Sequence, residues 1–306
     1  MRGHLLIIGL LLPLYIHAAD PRPKSGISEI DSLPLNDWKV ENPPLSITKT
    51  VALSALIPGG GQFYSGHPVR GGFLLGLESV LFGLSLYTYL VELPHFDRET
   101  KRFLDSADVA LDQSVQNPDR YKDFQRSIEL ARSNASQRLR LADLANSEFA
   151  WGLGLHFYGM MDALEIAEQS HPSAFKPKSV QRAMWYGLVF PGGGQLYNGR
   201  YGKFGLLWMA LGASAVSGWS RQNVVESLNL SIATATSEGA GTEKLEVDRT
   251  LYRKRRNQYY WGMALLYVYA VMDGMVDAAL SDFDQPNRYA MEPGSTPLSM
   301  NLAIHF

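Results

Sequence analysis

Four long apolar runs, separated by polar stretches, dominate the hydropathy pattern after the first fifty residues. They cover residues 71–93, 149–166, 204–219 and 259–280. A helix rises about 1.5 Å per residue, so about 20 residues cross a hydrocarbon core of about 30 Å. The pattern therefore predicts four spanning helices, although 149–166 is short and needs support from its neighbours. Pro94 is expected to end the first of them.

Two polar segments lie between these runs. In 97–147, apolar residues recur every three or four positions, which predicts two amphipathic helices broken at 117–119. The segment 222–258 shows the same pattern in a shorter form, with its break at 237–241. Each segment is expected to be a polar helical hairpin that extends the spans beyond the bilayer.

A nine-residue string occurs twice, as PGGGQFYSG from Pro58 and as PGGGQLYNG from Pro191, an offset of 133 residues (191 − 58). A second pair, YGMMD ending at Asp162 and YAVMD ending at Asp273, is offset by 111 residues (273 − 162). The shorter second insert accounts for the difference, so both offsets fit one tandem duplication. We predict a first unit at 46–171 with insert 97–147, and a second unit at 179–284 with insert 222–258.

Each repeated string lies between two apolar helices. The upstream segments, 47–57 and 180–190, are too short to cross a bilayer alone. Proline followed by three glycines cannot continue a helix, so we predict a re-entrant or interfacial helix, a tight glycine turn and then a spanning helix. The residues expected to build the turns are Pro58, Gly59, Gly61, Gln62 and Tyr64, and Pro191, Gly192, Gly194, Gln195 and Tyr197.

The predicted fold class is all-α. It is an integral membrane helical bundle of two tandem repeats, with about four spanning helices, two short re-entrant or interfacial helices and two polar helical hairpins. Residues 1–19 have the basic start, apolar stretch and small residues of a signal peptide that is cleaved. Residues 20–45 are predicted to be an extended Pro-rich linker, and 285–306 a C-terminal tail that forms a short edge or partner-binding strand.

Composition narrows the possible chemistry. The net charge is −2, from 28 basic and 30 acidic side chains, so nucleic acid is not an expected partner. The absence of cysteine removes disulfides and thiolate nucleophiles. The glycine strings lack the Lys and Ser/Thr of a phosphate-binding loop, and the seven histidines show no metal-ligand spacing. We therefore predict no catalytic residue, no cofactor and no metal site, and a protein that is not an enzyme.

Three carboxylates are candidate functional residues. Asp273 and Asp277, four residues apart, share one helix face, and Asp162 occupies a similar stretch of the first half. Intramembrane acids are candidates for ion or proton paths. The favoured interpretation is structural pairing, for example with the glycine turn of the same or the other half. His156 is expected to be a hydrogen-bonded interior residue, and Glu78 has no counterpart in the repeat because Leu211 lies at that position.

The strings SALIPGGGQFYSG, YGLVFPGGGQLYNGRYGKFG and RRNQYYWGMALLYVYAVMDGMVDAALSDF resemble a bacterial domain-of-unknown-function family of small membrane proteins. That family joins a PGxGQxYNG turn to a helix ending in a DxxxDAHL-like string. The second half matches it better, because the first half has Ser65 in place of Asn198 and Ile166 in place of Asp277. The resemblance implies a location in the bacterial cell envelope and brings no known activity.

We therefore expect a non-enzymatic protein with a structural, scaffolding or assembly role in the bacterial cell membrane, the inner rather than the outer membrane. Its expected partners are the lipid bilayer and other envelope proteins. One alternative is a transporter or an ion- or proton-conducting subunit that uses intramembrane carboxylates. Another is an intramembrane enzyme built on Asp162, Asp273 and Asp277.

Overall fold

The computed structural model describes residues 44–171, 177–237, 241–281, 291–293 and 300–302. The predicted signal peptide lies outside these residues, as does nearly all of the predicted linker. Over the described ranges the chain is almost entirely helical, which confirms the all-α class. Two three-residue strands in the C-terminal tail, β1 (Met291–Pro293) and β2 (Met300–Leu302), pair antiparallel.

The first unit contains five α-helices and one π-helical turn. They are α1 (Ile47–Leu56), α2 (Gly60–Tyr64), α3 (Pro68–Tyr87), the π-helix Thr88–Glu92, α4 (Leu93–Ser114) and α5 (Arg120–Gln169). The side chain of Ser46 accepts a hydrogen bond from the backbone N–H of Lys49 and so caps the start of α1. The predicted break in the polar insert falls between α4 and α5.

The second unit repeats this order without a π-helix. It contains α6 (Val180–Val189), α7 (Gly193–Asn198), α8 (Tyr201–Ser237) and α9 (Glu243–Leu280). Ser179 caps α6 as Ser46 caps α1. The sequence did not predict the short helices α2 and α7, which stand between each glycine turn and the long helix that follows. The repeated glycines therefore begin a helix of their own as well as ending the preceding one.

The prediction that Pro94 ends the first span is wrong. The π-helix Thr88–Glu92 joins α3 directly to α4, and Pro94 lies in the first turn of α4. The first turn of a helix tolerates proline because its N–H groups need no partner within that helix. In the π-helix the backbone hydrogen bonds join residues five apart instead of four, so the hydrogen-bond pattern changes next to the proline, which has no N–H to donate. One continuous helix of 47 residues, Pro68–Ser114, therefore runs from the apolar segment into the polar insert.

Helices α5 and α8 form the centre of the bundle. Helices α3 and α4 pack on α5, while α9 packs on α8; the short helix α1 packs on α5, and α6 on α9. Glycine allows α5 and α8 to approach closely. A Cβ added to Gly205 would lie 2.7 Å from Cβ of Met161, and one added to Gly154 would lie 2.9 Å from Cγ of Met209. Close approach at small residues is typical of helix packing within membranes.

Two helices are long and apolar enough to cross a bilayer, Pro68–Ser114 and Glu243–Leu280. They contain the first and fourth predicted spans. In each, only 28% of the apolar window is buried within the protein. The second and third predicted spans lie within α5 and α8, so length and composition support two of the four predicted spanning helices. The run 204–219 in α8 is short and lies between Lys203 and Arg221, and the run 149–166 in α5 contains His156, Asp162 and Glu165.

Candidate functional site

The first glycine string forms a tight turn between α1 and α2. Gly59 has a φ of 72°, in the left-handed region, and the N–H of Gly60 donates to the carbonyl of Ile57 at 2.8 Å. A Cβ added to Gly59 would lie 2.3 Å from the carbonyl oxygen of Gly71 at the start of α3. Glycine is therefore required here both for its backbone conformation and for the close approach of α3.

The second string forms the same turn between α6 and α7. Gly192 has a φ of 87°, and the N–H of Gly193 donates to the carbonyl of Phe190 at 2.8 Å. A Cβ added to Gly193 would lie 2.3 Å from the carbonyl oxygen of Tyr186. Both strings thus adopt one geometry, in which a left-handed glycine reverses the chain and the next glycines pack against the helix just ended.

A buried glutamine follows each turn and points into the bundle. In the first unit Gln62 is fully buried, and its Nε2 donates to the carbonyl of Gly159 at 2.8 Å and to Oδ2 of Asp162 at 2.9 Å. Arg70, near the start of α3, forms an ion pair with the other oxygen of Asp162 and also reaches the hydroxyl of Tyr158. We call Gln62, Arg70 and Asp162 the first polar junction.

The second unit builds the corresponding cluster. Nε2 of Gln195 donates to the carbonyl of Ala270 at 2.8 Å and to Oδ2 of Asp273 at 3.0 Å. Nζ of Lys203, near the start of α8, lies 2.9 Å from Asp273 and 2.8 Å from Asp277. We call Gln195, Lys203, Asp273 and Asp277 the second polar junction. All three carboxylates proposed from the sequence therefore lie at a glycine turn of their own unit.

The basic members of these junctions were not singled out from the sequence. Arg70 and Lys203 are separated by 133 residues (203 − 70), the offset of the two glycine strings. They therefore hold equivalent positions, and so do Asp162 and Asp273 at the other offset. The repeat itself could have indicated them, because a basic residue at the same position of both copies suggests an acidic partner at the same position of both copies.

Two polar contacts differ between the junctions. In the first unit the hydroxyl of Ser54 lies 3.1 Å from Oε1 of Gln62 and accepts the N–H of Gly61 at 3.0 Å. The position equivalent to Ser54 is Gly187, and Oε1 of Gln195 is buried with no hydrogen-bond partner among the residues described. The glutamine of the first turn is therefore more completely hydrogen-bonded than the glutamine of the second.

Electrostatics fixes the charge state of Lys203, which lies just outside the third predicted span. Burial alone lowers the pKa of an ammonium group, but hydrogen bonds to Asp277 and Asp273 and their negative charges outweigh burial and raise the pKa of Lys203 above its usual value. Its stabilising contribution is present at neutral pH and is lost only as the pH rises through that raised pKa. Lys203 is therefore a fixed cation facing two carboxylates.

A carboxylate of the first unit also caps the second. Oε2 of Glu165, on α5, accepts the backbone N–H of Gly202 in the first turn of α8 at 2.6 Å. The first N–H groups of a helix have no partner within it, and a carboxylate there interacts favourably with the helix dipole. Glu165 therefore joins α5 to α8 next to the first junction.

The remaining turn residues have peripheral positions. Tyr64 is 44% exposed, whereas the hydroxyl of Tyr197 accepts the backbone N–H of Ser179 at 3.1 Å. The carbonyl of Pro191 accepts the indole N–H of Trp208 at 2.9 Å. Over the described ranges, the acidic and histidine side chains do not gather into a group of three that could hold a metal ion. The chemistry of the site is thus hydrogen bonding and charge pairing around two turns.

Residues 176–303 match a family of unknown function, DUF5683. The match covers the second unit, with its glycine turn and the whole second junction. It agrees with the closer resemblance of the second half of the sequence to a domain-of-unknown-function family. No curated protein and no solved structure matches the chain significantly.

Proposed function

We propose that this chain is a membrane protein of the bacterial cell envelope with a structural or assembly role, built from two duplicated units and without enzymatic activity. The observation that carries the proposal is the set of hydrogen bonds and ion pairs within the two junctions. Asp162 is buried and Asp273 is partly buried, and each is bound by a glutamine and a cation of its own unit. These acids therefore hold the short helix that follows each glycine turn, α2 or α7, against the long helices.

The free-energy cost of breaking a buried ion pair favours a structural role for these acids. A buried charge that loses its partner is costly, by about 3–5 kcal/mol. Asp162 is 2% exposed, and its bonds to Arg70 and Gln62 join α5 to α3 and α2, which lie 92 and 100 residues earlier in the chain. Such a contact stabilises one arrangement of the bundle, which is what a rigid envelope component needs.

Membrane insertion is supported by the outward faces of the two apolar helices. On α9, Trp261 is 73% exposed, Leu265 is 69% exposed and Met272 is 61% exposed. An exposed apolar surface of this kind is unfavourable in water and favourable against lipid chains. The basic run at 253–256 lies directly before this surface, as expected for the cytoplasmic end of a span. The polar hairpins would then extend from the bilayer and offer surfaces to protein partners in the envelope.

One observation favours the transport alternative. The second junction holds two carboxylates and only one cation, so it carries a net negative charge that could attract a proton or a metal cation. Against this, the crevice between α5 and α8, about 310 Å³, is lined by apolar side chains such as Leu153, Phe157 and Val216. We therefore place transport second.

The proposal is tested by extraction and by flux. Membranes containing the protein are washed with alkaline carbonate, and the purified protein is then reconstituted into sealed lipid vesicles. We expect the protein to stay with the carbonate-washed membranes and the vesicles to be no more permeable to protons and potassium ions than empty ones. Release by carbonate would contradict membrane insertion. A flux abolished by Asp277→Asn, with unchanged protein accumulation, would replace the structural role with transport.

A further inference from the structure

The two units are joined by the contact between α5 and α8, which we call the internal interface. Helix α3 packs on α5, α5 on α8 and α8 on α9, so α3 and α9 are the first and last of these four long helices. At a tight point of the internal interface, a Cβ added to Gly205 on α8 would lie 2.7 Å from Cβ of Met161 and 3.1 Å from Cα of Tyr158. Glycine therefore lets this tyrosine and methionine of α5 reach the backbone of α8.

The two end helices carry the counterparts of this contact and leave them open. The residue 133 positions before Gly205 is Gly72 on α3, and the residues 111 positions after the tyrosine and methionine of α5 are Tyr269 and Met272 on α9. All three residue types are the same as in the internal interface. Tyr269 and Met272 are nevertheless exposed, and a Cβ added to Gly72 would meet no described atom within 4 Å.

A second contact of the internal interface is matched by an exchange of residue sizes. A Cβ added to Gly154 on α5 would lie 2.9 Å from Cγ of Met209 on α8. At the equivalent positions α9 has the exposed Leu265, and α3 has Gly76, where an added Cβ would meet no described atom within 4 Å. The large and the small residue have changed helices, so a contact between α9 and α3 would again place one large residue against one glycine. Packed interfaces tolerate exchanges that keep the total volume.

A third contact changes its polarity on both helices together. In the internal interface, Oε2 of Glu165 on α5 accepts the backbone N–H of Gly202 on α8 at 2.6 Å. The equivalent residues are Val276 on α9 and Val69 on α3, and both are exposed. A polar pair is thus replaced by an apolar pair, and neither helix would bury an unpaired carboxylate against the other.

The exposed residues form one continuous face on each end helix. The opposite side of α3 is turned toward α5, because Oε2 of the buried Glu78 lies 2.9 Å from Nδ1 of His156. Each residue of the two exposed faces is the counterpart of one that touches the other helix, or lines the crevice between them, in the internal interface. The α3 face consists of Val69, Gly72, Gly76, Val80 and Gly83, and the α9 face of Trp261, Leu265, Val268, Tyr269, Met272 and Val276.

We propose that the α9 face of one copy of this chain binds the α3 face of a second copy, in the same way as α5 binds α8 within one copy. This head-to-tail contact uses two different surfaces, so it continues from copy to copy and builds a row, or a ring if the rotation between copies closes. Within a bilayer such association is driven by close packing at small residues. The inference rests on the membrane role proposed above and gives its assembly role a partner.

The test uses the absence of cysteine, since introduced thiols meet no native ones. Val69→Cys and Val276→Cys lie at one end of the proposed contact, and both positions are exposed within one copy. Membranes containing the full chain are treated with a short bismaleimide, and the products are separated by size. We expect the double variant to form dimers and larger species. Each single variant should remain monomeric, because the contact joins α3 to α9.

Two results would overturn the proposal. Dimers of Val69→Cys alone would show a symmetric contact between two α3 helices, and a double variant that remains monomeric would show that lipid covers both faces. The carbonate wash described above is read separately on the same membranes. A protein that resists carbonate but does not crosslink would contradict only the head-to-tail contact, whereas release by carbonate would contradict the membrane role itself.

A size exchange tests the contact residue by residue in the double-cysteine chain. Gly76→Met sets a second large side chain against Leu265 of the neighbouring copy and should lower the crosslinked fraction by at least about fivefold. The chain should still accumulate normally, because this position is open within one copy. Adding Leu265→Gly installs the pair of the internal interface and should restore crosslinking.

The matched control is Leu86→Trp, which adds bulk to α3 outside the α3 face. It copies Trp219, the exposed residue at the equivalent position of α8. We expect this variant to crosslink as the double-cysteine chain does. Crosslinking that Gly76→Met leaves unchanged, or that Leu265→Gly does not restore, would overturn the proposed contact.

Discussion

The first polar junction pairs one guanidinium, from Arg70, with one buried carboxylate, whereas the second pairs one ammonium, from Lys203, with two. Both keep a glutamine that binds a backbone carbonyl and a carboxylate of the same helix. What the two copies share is therefore the attachment of the turn through glutamine. What differs is the amount and balance of charge around it.

This comparison separates the parts of the site that the turn requires from the parts that can vary. The left-handed glycines and the glutamine occur in both units with the same partners. The hydroxyl of Ser54 and the second acid, Asp277, occur in one unit each. We infer that the shared glycines and glutamine hold the turn in place. Ser54 and Asp277 adjust the stability or the charge of the unit in which each occurs.

The largest expected effect comes from the shared turn. Gly193→Val places a branched side chain where even a Cβ lies 2.3 Å from a backbone oxygen of Tyr186, so the turn cannot form without moving α6. We expect a destabilisation of at least about 4 kcal/mol and loss of the protein from membranes. Gly212→Ala, where an added Cβ meets no atom within 4 Å, is the control and should accumulate normally. Normal amounts of Gly193→Val would refute the structural reading of the turn.

The next effect should distinguish the junctions. Asp162→Ala leaves Gln62, which is fully buried, without its carboxylate and Arg70 without its partner. Asp273→Ala leaves Lys203 still bound to Asp277. We expect the first change to cost about 3–5 kcal/mol and the second about 1–3 kcal/mol in unfolding free energy. Thermal unfolding in detergent measures the difference, and a larger loss for Asp273→Ala would contradict the comparison.

A smaller effect tests the unsatisfied glutamine of the second turn. Gly187→Ser should supply Oε1 of Gln195 with the hydroxyl that Ser54 gives to Gln62, and a Cβ there meets Val271 only at ordinary contact distances, the nearest being 3.4 Å. We expect a stabilisation of about 1 kcal/mol. The reciprocal change, Ser54→Gly, should destabilise the first unit by a similar or greater amount. A destabilising Gly187→Ser would show that water or lipid already satisfies this oxygen.

The turns and the units could be predicted because glycine, proline and the repeat are local or periodic signals. The prediction that buried acids pair with a glycine turn also follows from residue type, although the sequence could not distinguish it from an ion path. The basic partners of these acids depend on which helices pack together. The sequence therefore did not predict the ion pairs of Arg70 and Lys203. The π-helix before Pro94 could not be predicted for a different reason. A proline is found both where a helix ends and where a helix changes its hydrogen-bond register and continues.

The spans were the least predictable part. The runs 149–166 and 204–219 are shorter than the outer runs, and α5 and α8 pack against each other and bury small and polar residues such as Ser214 and Ser217. An apolar run can pack against protein or against lipid, and a single sequence does not show directly which of the two it contacts.

The central claim is that the buried acids lock the turns, and a double-mutant cycle on Arg70 and Asp162 tests it most directly. Arg70→Met, Asp162→Leu and the double variant are compared with the wild type by thermal unfolding in detergent. We expect the double variant to be more stable than the sum of the single losses implies, with a coupling of about 1–3 kcal/mol, because each single change leaves a partner unpaired. Additive losses would show that the pair does not lock the turn.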